Sequence, residues 1–250
     1  MFGRTFVSTA LFATSLSASV PVLAADTQVA VAANFTEPAK EIAAAFAKAT
    51  GHKAILSFGS SGTFYTQITH GAPFEIFLSA DAVRPKKIEQ DGLGVPGSRF
   101  SYAIGRLVLY STKPKLVDEK GAVLTRSGFD KIAVADPTAA PYGMAAIQTM
   151  QKLGIYRQLA PKIVKGSSIT QAYQFVETGA AELGFVAWSQ VIAQPGGSRW
   201  LVPARLHAPI DQQAIMLSTG QKNPAALAFM KYLGSRAAIA IIKRYGYETR

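Results

Sequence analysis

The 250-residue chain is 49% hydrophobic and 16% charged, enough apolar material to give one large or two modest domains proper cores, which excludes a disordered chain. It contains no cysteine, so disulfides, zinc–thiolate sites and cysteine nucleophiles are excluded, and its three histidines, His52, His70 and His207, match no metal-ligand spacing. The formal net charge of +11 comes from scattered Lys and Arg, the tightest group being Arg84-Pro85-Lys86-Lys87; without a basic stripe interleaved with aromatics it reads as a solvated surface that steers anions, with no nucleic-acid partner.

The chain opens as a secretory signal peptide expected over residues 1–25. Arg4 supplies the positive start, Phe6 to Leu16 is apolar or small, and Val22-Leu23-Ala24 and Leu23-Ala24-Ala25 both offer small-residue cleavage sites, so cleavage falls after Ala24 or Ala25. The segment is too short and wrongly flanked for a membrane span. A first strand is expected over Gln28–Ala33, and Thr36 as N-cap, Glu37 and Pro38 open a helix whose apolar stripe is Ala39, Ile42, Ala43 and Phe46. Asn34-Phe35-Thr36 also matches the N-glycosylation pattern, an accidental match at a buried turn. Ala54-Ile55-Leu56 ends a second strand, and Phe64 and Ile68 lie on one face of the helix after it. Phe74–Ser79 is a third strand, followed by a helix started by Pro85.

Tyr102–Tyr110 reads as one long strand, and Lys131–Ala135 as another. Pro141 and Gly143 bracket Tyr142 at the start of a helix carrying Ile147, Met150 and Leu153. Ile163-Val164 leads through Gly166-Ser167-Ser168-Ile169 into a helix with Ala172, Tyr173 and Val176, and Leu183–Trp188 is again a strand. Ala214–Leu217 is a last strand, and two helices close the chain. Strands alternating with helices argue for parallel sheets with helices on both faces, where ligands sit at the carboxyl ends of strands.

Four helix starts carry polar or glycine-rich turns: Asn34–Thr36, Gly59–Gly62, Pro141–Gly143 and Gly166–Ile169. In Ser57-Phe58-Gly59-Ser60-Ser61-Gly62-Thr63, glycines let the backbone approach a ligand, the helix start offers unpaired N–H groups, and the serines add hydroxyl donors. Such a turn holds an anion without a cationic side chain. Ser60 also suits a simple helix cap. Two of the turns come from each half of the chain, so a cleft between two α/β lobes would bring all four together.

With Ala32-Ala33-Asn34-Phe35, Phe58-Gly59-Ser60-Ser61-Gly62, Gly71-Ala72-Pro73, Ser79-Ala80-Asp81, Ala140-Pro141-Tyr142-Gly143 and Gly179–Val186 in this order, the chain resembles the periplasmic molybdate-binding proteins of ABC importers from strand one to Arg244-Tyr245-Gly246-Tyr247. The resemblance implies an α/β, two-lobed type II periplasmic-binding-protein fold, with mixed sheets flanked by helices and hinge crossings at Tyr102–Tyr110 and Gln212–Ser218. It divides the chain into lobe one over 26–104, lobe two over 105–212, and a return to lobe one over 213–250. It implies a monomer that takes molybdate or tungstate, needs no cofactor, and delivers its cargo to a membrane ABC permease. The oxyanion-binding residues carried over are Ala33, Asn34, Ser60, Ser61, Tyr142 and Ile169, the last through its backbone N–H, and the metal enters only as the oxyanion. One branch of the family uses a tyrosine where this chain has Ala187, and another a tyrosine at Tyr142. Relatives often carry a serine or threonine in the first turn, where Ala33 and Asn34 stand here.

An enzyme would need a catalytic set. Gly59–Thr63 misses the nucleophile-elbow pattern because position 63 is not glycine, no serine has a lysine three residues on, and no paired carboxylates fall on the turns. A serine-dependent hydrolase is therefore set aside in favour of a binding protein. Ferric ligands would require tyrosine clusters or carboxylates, and protonated phosphate an acidic acceptor, which the four turns lack. Sulfate satisfies the same donor chemistry as molybdate and stays as the alternative ligand.

Overall fold

In the computed structural model, which describes residue 2 and residues 24–126 and 128–249, the chain forms two five-stranded sheets flanked by helices. The expected signal peptide lies almost entirely outside these residues. Lobe one begins with β1 (Asp26–Ala32), α1 (Thr36–Thr50), β2 (Lys53–Gly59), α2 (Ser61–Thr69), β3 (Ile76–Ser79), α3 (Val83–Gln90) and β4 (Phe100–Gly105). Lobe two follows with β5 (Leu107–Ser111), β6 (Ile132–Ala135), α4 (Pro141–Lys152), α5 (Tyr156–Leu159), β7 (Ile163–Gly166), α6 (Ile169–Glu177), β8 (Leu183–Ala187), α7 (Trp188–Val191) and β9 (Ser198–Leu201). The chain then returns with β10 (Ile210–Met216), α8 (Pro224–Leu233) and α9 (Arg236–Arg244). The strand orders are β2-β1-β3-β10-β4 and β7-β6-β8-β5-β9.

The inner strands read as unbroken apolar runs because both faces are covered. In β1, Val29 and Val31 join a core with Phe35, Ile42, Phe46, Phe229 and Ile242, while Ala30 between them faces Phe64, Phe77, Ile88 and Ile215 on the other side. This is the two-residue period of a strand expressed as two cores. Phe46 of α1 meets Phe229 of α8 edge-on with ring centroids 5.2 Å apart, so the end of the chain is sealed onto its beginning. Each such buried ring contributes about 1.5–3 kcal/mol.

The strand expected over Tyr102–Tyr110 is two strands broken at Arg106, because its halves pair in different sheets: β4 with β10, and β5 with β8 and β9. This is the first passage between lobes. The second lies over residues 202–209, upstream of the expected Gln212–Ser218, because β10 pairs with β3 and β4 from Ile210 to Met216. A boundary between 212 and 213 therefore falls inside one strand. The edge strand β9, Ser-Arg-Trp-Leu, carries too little periodicity to be read from sequence. Thr36 does not cap α1: a 3-10 turn over Ala33–Phe35 runs straight into the helix, and the Thr36 hydroxyl donates back to the Ala33 carbonyl at 2.8 Å. Likewise α3 starts at Val83, with Pro85 inside its first turn.

Candidate functional site

Register brings the site together. The parallel pairing of β1 and β2 sets Ala32 beside Gly59, so the turns that follow leave lobe one side by side. In lobe two, β6 and β7 set Ala135 beside Gly166 in the same way. Between these strand ends lies a cavity with about 190 Å³ of empty space, its opening included. Its lining contains Ala33, Asn34, Ser60 and Ser61 from lobe one and Tyr142 and Ile169 from lobe two, so the six residues expected from sequence share one cavity. The rest of the lining is Ala32, Ala80, Ala140 and Pro141, with no charged side chain.

The two serines have different tasks. The Ser60 oxygen caps α2, accepting the Thr63 N–H at 3.3 Å and lying 2.7 Å from the Thr63 hydroxyl. The Ser61 oxygen accepts the Ala80 N–H at 2.9 Å, which leaves its own proton for an acceptor in the cavity. Ser61 and Ile169 are the first residues of α2 and α6, where a helix leaves its N–H groups unpaired and its dipole favours negative charge. Ser168 caps α6 through the Gln171 N–H at 3.3 Å, and no side chain caps α4. Tyr142 follows Pro141 in the first turn of α4 and is 1% exposed.

The side-chain NH₂ of Asn34 is already committed behind the cavity: its Nδ2 donates to Gln212 Oε1 at 2.8 Å and to the Tyr247 hydroxyl at 3.0 Å. The buried amide is thereby also closed to glycosylation. Behind it lies a polar floor that the sequence did not reveal. The Tyr102 hydroxyl donates to Gln212 Oε1 at 3.2 Å, Gln212 Nε2 donates to the Tyr142 hydroxyl at 3.4 Å, and the Tyr247 hydroxyl donates to the Asn34 carbonyl at 2.7 Å. Tyr247 belongs to the C-terminal segment that carried the family resemblance, but Gln212 and Tyr102 have no local signal. Burial pushes the Tyr102 and Tyr142 phenols well above their ordinary range, and Tyr247 up to about 12, so all three remain protonated donors at neutral pH.

The lobes are shut over the cavity by direct bonds. The Gly62 N–H donates to the Ala139 carbonyl at 2.8 Å, and Arg84, paired with Asp81, reaches the Thr138 carbonyl at 2.7 Å. On the opposite side the Ser189 hydroxyl donates to the Asn34 carbonyl at 2.9 Å, and the Thr170 hydroxyl to that of Ala33 at 3.4 Å.

Comparison with known proteins agrees with this architecture. Residues 27–248 match the family model described as bacterial extracellular solute-binding protein. The chain is 56% identical over 231 residues to the molybdate-binding protein ModA of Rhodobacter capsulatus, covering 92% of this chain and 91% of the relative. It is 55% identical over 227 residues to ModA of Azotobacter vinelandii, covering 90% of each. The solved structure of an Azotobacter vinelandii periplasmic molybdate-binding protein superposes with a TM-score of 0.87 at 43% identity, covering 90% of this chain and 99% of that one. With a family model matched from end to end of the folded region and relatives this similar, the chain belongs to the bacterial extracellular solute-binding proteins, within their periplasmic molybdate-binding group.

Proposed function

We propose that this protein captures molybdate in the interlobe cavity and delivers it to a membrane ABC permease. One observation carries the reading: a small cavity, closed from both lobes, is lined by hydroxyls and helix starts and by no carboxylate or cation. A fully deprotonated tetrahedral dianion needs donors only. Ala33, Asn34 and Ile169 would serve it through backbone N–H groups, Ser61 and Tyr142 through hydroxyls, and Ser60 through its position in the α2 turn. Hydrogen phosphate would carry a proton that meets no acceptor, at a cost of about 1–3 kcal/mol in a closed site. Tungstate offers the same charge and shape as molybdate and should be taken as well. Sulfate has the charge but is smaller, and donors held at the ends of packed helices adapt poorly to a smaller ion.

The protein would act as a periplasmic monomer, exported by residues 1–25 and cleaved after Ala24 or Ala25. Residues 26–105 and 210–249 would move as one lobe against 107–201, hinged where the chain passes between sheets at Arg106 and over 202–209. Competition calorimetry on the mature protein tests the assignment, with molybdate titrated in excess sulfate and, separately, in excess phosphate. Molybdate should bind undisturbed, and displacement by sulfate at comparable concentration would make this a general oxyanion site.

A further inference from the structure

The floor of the cavity contains a polar side chain that touches residues of both lobes without lining the cavity itself. Gln212 is fully buried on β10, at the point where pairing with β4 shifts register between Gln212 and Gln213. Its Oε1 faces Asn34 and Tyr102 of lobe one, and its Nε2 faces Tyr142 of lobe two. We propose that Gln212 is a positioning residue for oxyanion binding: its amide donates to the Tyr142 hydroxyl and so leaves the phenolic proton for the ligand. The inference rests on the oxyanion reading above and deepens it.

The network itself fixes the direction of these hydrogen bonds. The Tyr247 hydroxyl lies 2.7 Å from the Asn34 carbonyl and 2.9 Å from the Ser189 oxygen, whose own proton goes to that carbonyl, so the single phenolic proton of Tyr247 is used on one of these two acceptors. The Asn34 amide group 3.0 Å from the same hydroxyl must then be the donor, which makes it the NH₂. That NH₂ also lies 2.8 Å from Gln212, which must present its oxygen, and the Tyr102 hydroxyl at 3.2 Å donates to the same atom. The Gln212 NH₂ is left facing Tyr142. With its oxygen occupied by an incoming N–H, Tyr142 has its proton to give. The hydroxyl of Tyr247 lies beside that of Tyr142 and competes for that proton, but a dianion is the stronger acceptor.

Two further features support this. Ser61 is arranged on the same principle in the other lobe, its oxygen taking the Ala80 N–H and its proton left over. Gly105, at the end of β4, leaves open the space that the Tyr142–Gln212 contact fills: a Cβ there would lie 2.2 Å from the Tyr142 oxygen and 2.9 Å from Gln212 Nε2. Each ligand-facing hydroxyl is thus held by an N–H from behind, which leaves its proton to point forward.

A double-mutant cycle on the mature protein tests this, with molybdate as the titrant in calorimetry. Gln212→Met should weaken binding by about three- to tenfold. In a Tyr142→Phe background, where no hydroxyl remains to orient, the same substitution should change affinity by less than about twofold. Gln212→Asn keeps an amide but shortens its reach to Tyr142, and it takes the place of Gln212→Met if that variant does not fold. Melting of the ligand-free proteins is followed in parallel, because a purely structural role would lower the melting temperature without this non-additivity. Equal losses in both backgrounds, or no loss in the wild-type background, would overturn the assignment of Gln212 alone. Absence of molybdate binding by the wild-type protein would overturn the functional reading on which it rests.

Discussion

The backbone N–H of Gly62 in lobe one donates to the carbonyl oxygen of Ala139 in lobe two at 2.8 Å, joining the lobes main chain to main chain across the cavity mouth. A Cβ on Gly62 would lie 2.8 Å from the Ala139 Cα, an approach that two backbones cannot absorb without moving apart. Gly62→Ala is therefore expected to hold the cleft slightly open and to cost about 1–3 kcal/mol of binding, a loss of roughly five- to a hundredfold. Calorimetry reads the affinity. Small-angle scattering with saturating molybdate reads the closure, and a variant as compact and as tightly binding as the wild type would refute the clasp.

Tyr142→Phe keeps the ring that packs lobe two and removes only the hydroxyl at the cavity. A hydrogen bond to a charged acceptor is worth about 1.5–3 kcal/mol, so affinity should fall by roughly ten- to a hundredfold. The melting temperature of the ligand-free protein should also fall somewhat, because the buried Gln212 Nε2 loses its Tyr142 acceptor, so affinity and stability are read separately. An unchanged dissociation constant would leave Tyr142 a packing residue.

Arg84 joins the lobes at the rim, through Asp81 on its own side and the Thr138 carbonyl on the other. It lies outside the cavity, so Arg84→Gln should leave the chemistry of recognition intact and loosen only the closed state. The expected effect is a dissociation rate two- to fivefold faster, corresponding to about 0.5–1 kcal/mol at a partly exposed site. Stopped-flow exchange of molybdate against tungstate measures it, and a larger effect on association than on dissociation would contradict a clasp.

The buried phenols set an alkaline limit. An unfolded tyrosine ionises near pH ~10. Tyr247 holds its proton up to about 12, and Tyr102 and Tyr142 are also raised well above the ordinary value by burial. Between these values the unfolded chain binds fewer protons than the native state, so stability falls as pH rises. The contribution of these groups is fully present below pH ~10 and is lost as pH rises through their folded-state values. Melting temperatures should therefore show no change from these groups between pH 7 and 9 and a steep decline above about pH 10, and Tyr247→Phe should make that decline shallower.

The parts of the site that were legible in the sequence are those whose chemistry is local. The Gly59–Gly62 turn declares itself because cap, hydroxyl and glycines are adjacent, and Tyr142 because Pro141 and Gly143 mark a helix start. The roles within the turn were less legible: which serine caps and which faces the cavity depends on the Ala80 N–H, which reaches Ser61 from the end of another strand. Asn34 was legible as a position and not as a contact. Its amide partners, Gln212 and Tyr247, lie 178 and 213 residues away, and neither sits in a pattern that announces burial of a polar group. The break at Arg106 was hidden for a similar reason, since an apolar run looks the same whether its two ends pair in one sheet or in two.

In lobe one, β10 lies between β3 and β4, and Tyr247 completes the floor beneath Asn34. Neither is present until nearly the whole chain has been made. A nascent chain that has reached β9 has all of sheet two, yet it lacks the strand that joins β3 to β4 and the phenol that holds the first turn. The anion site is therefore among the last parts of the molecule that can form. A chain truncated before residue 210 lacks both β10 and Tyr247 and is expected to bind no molybdate in calorimetry.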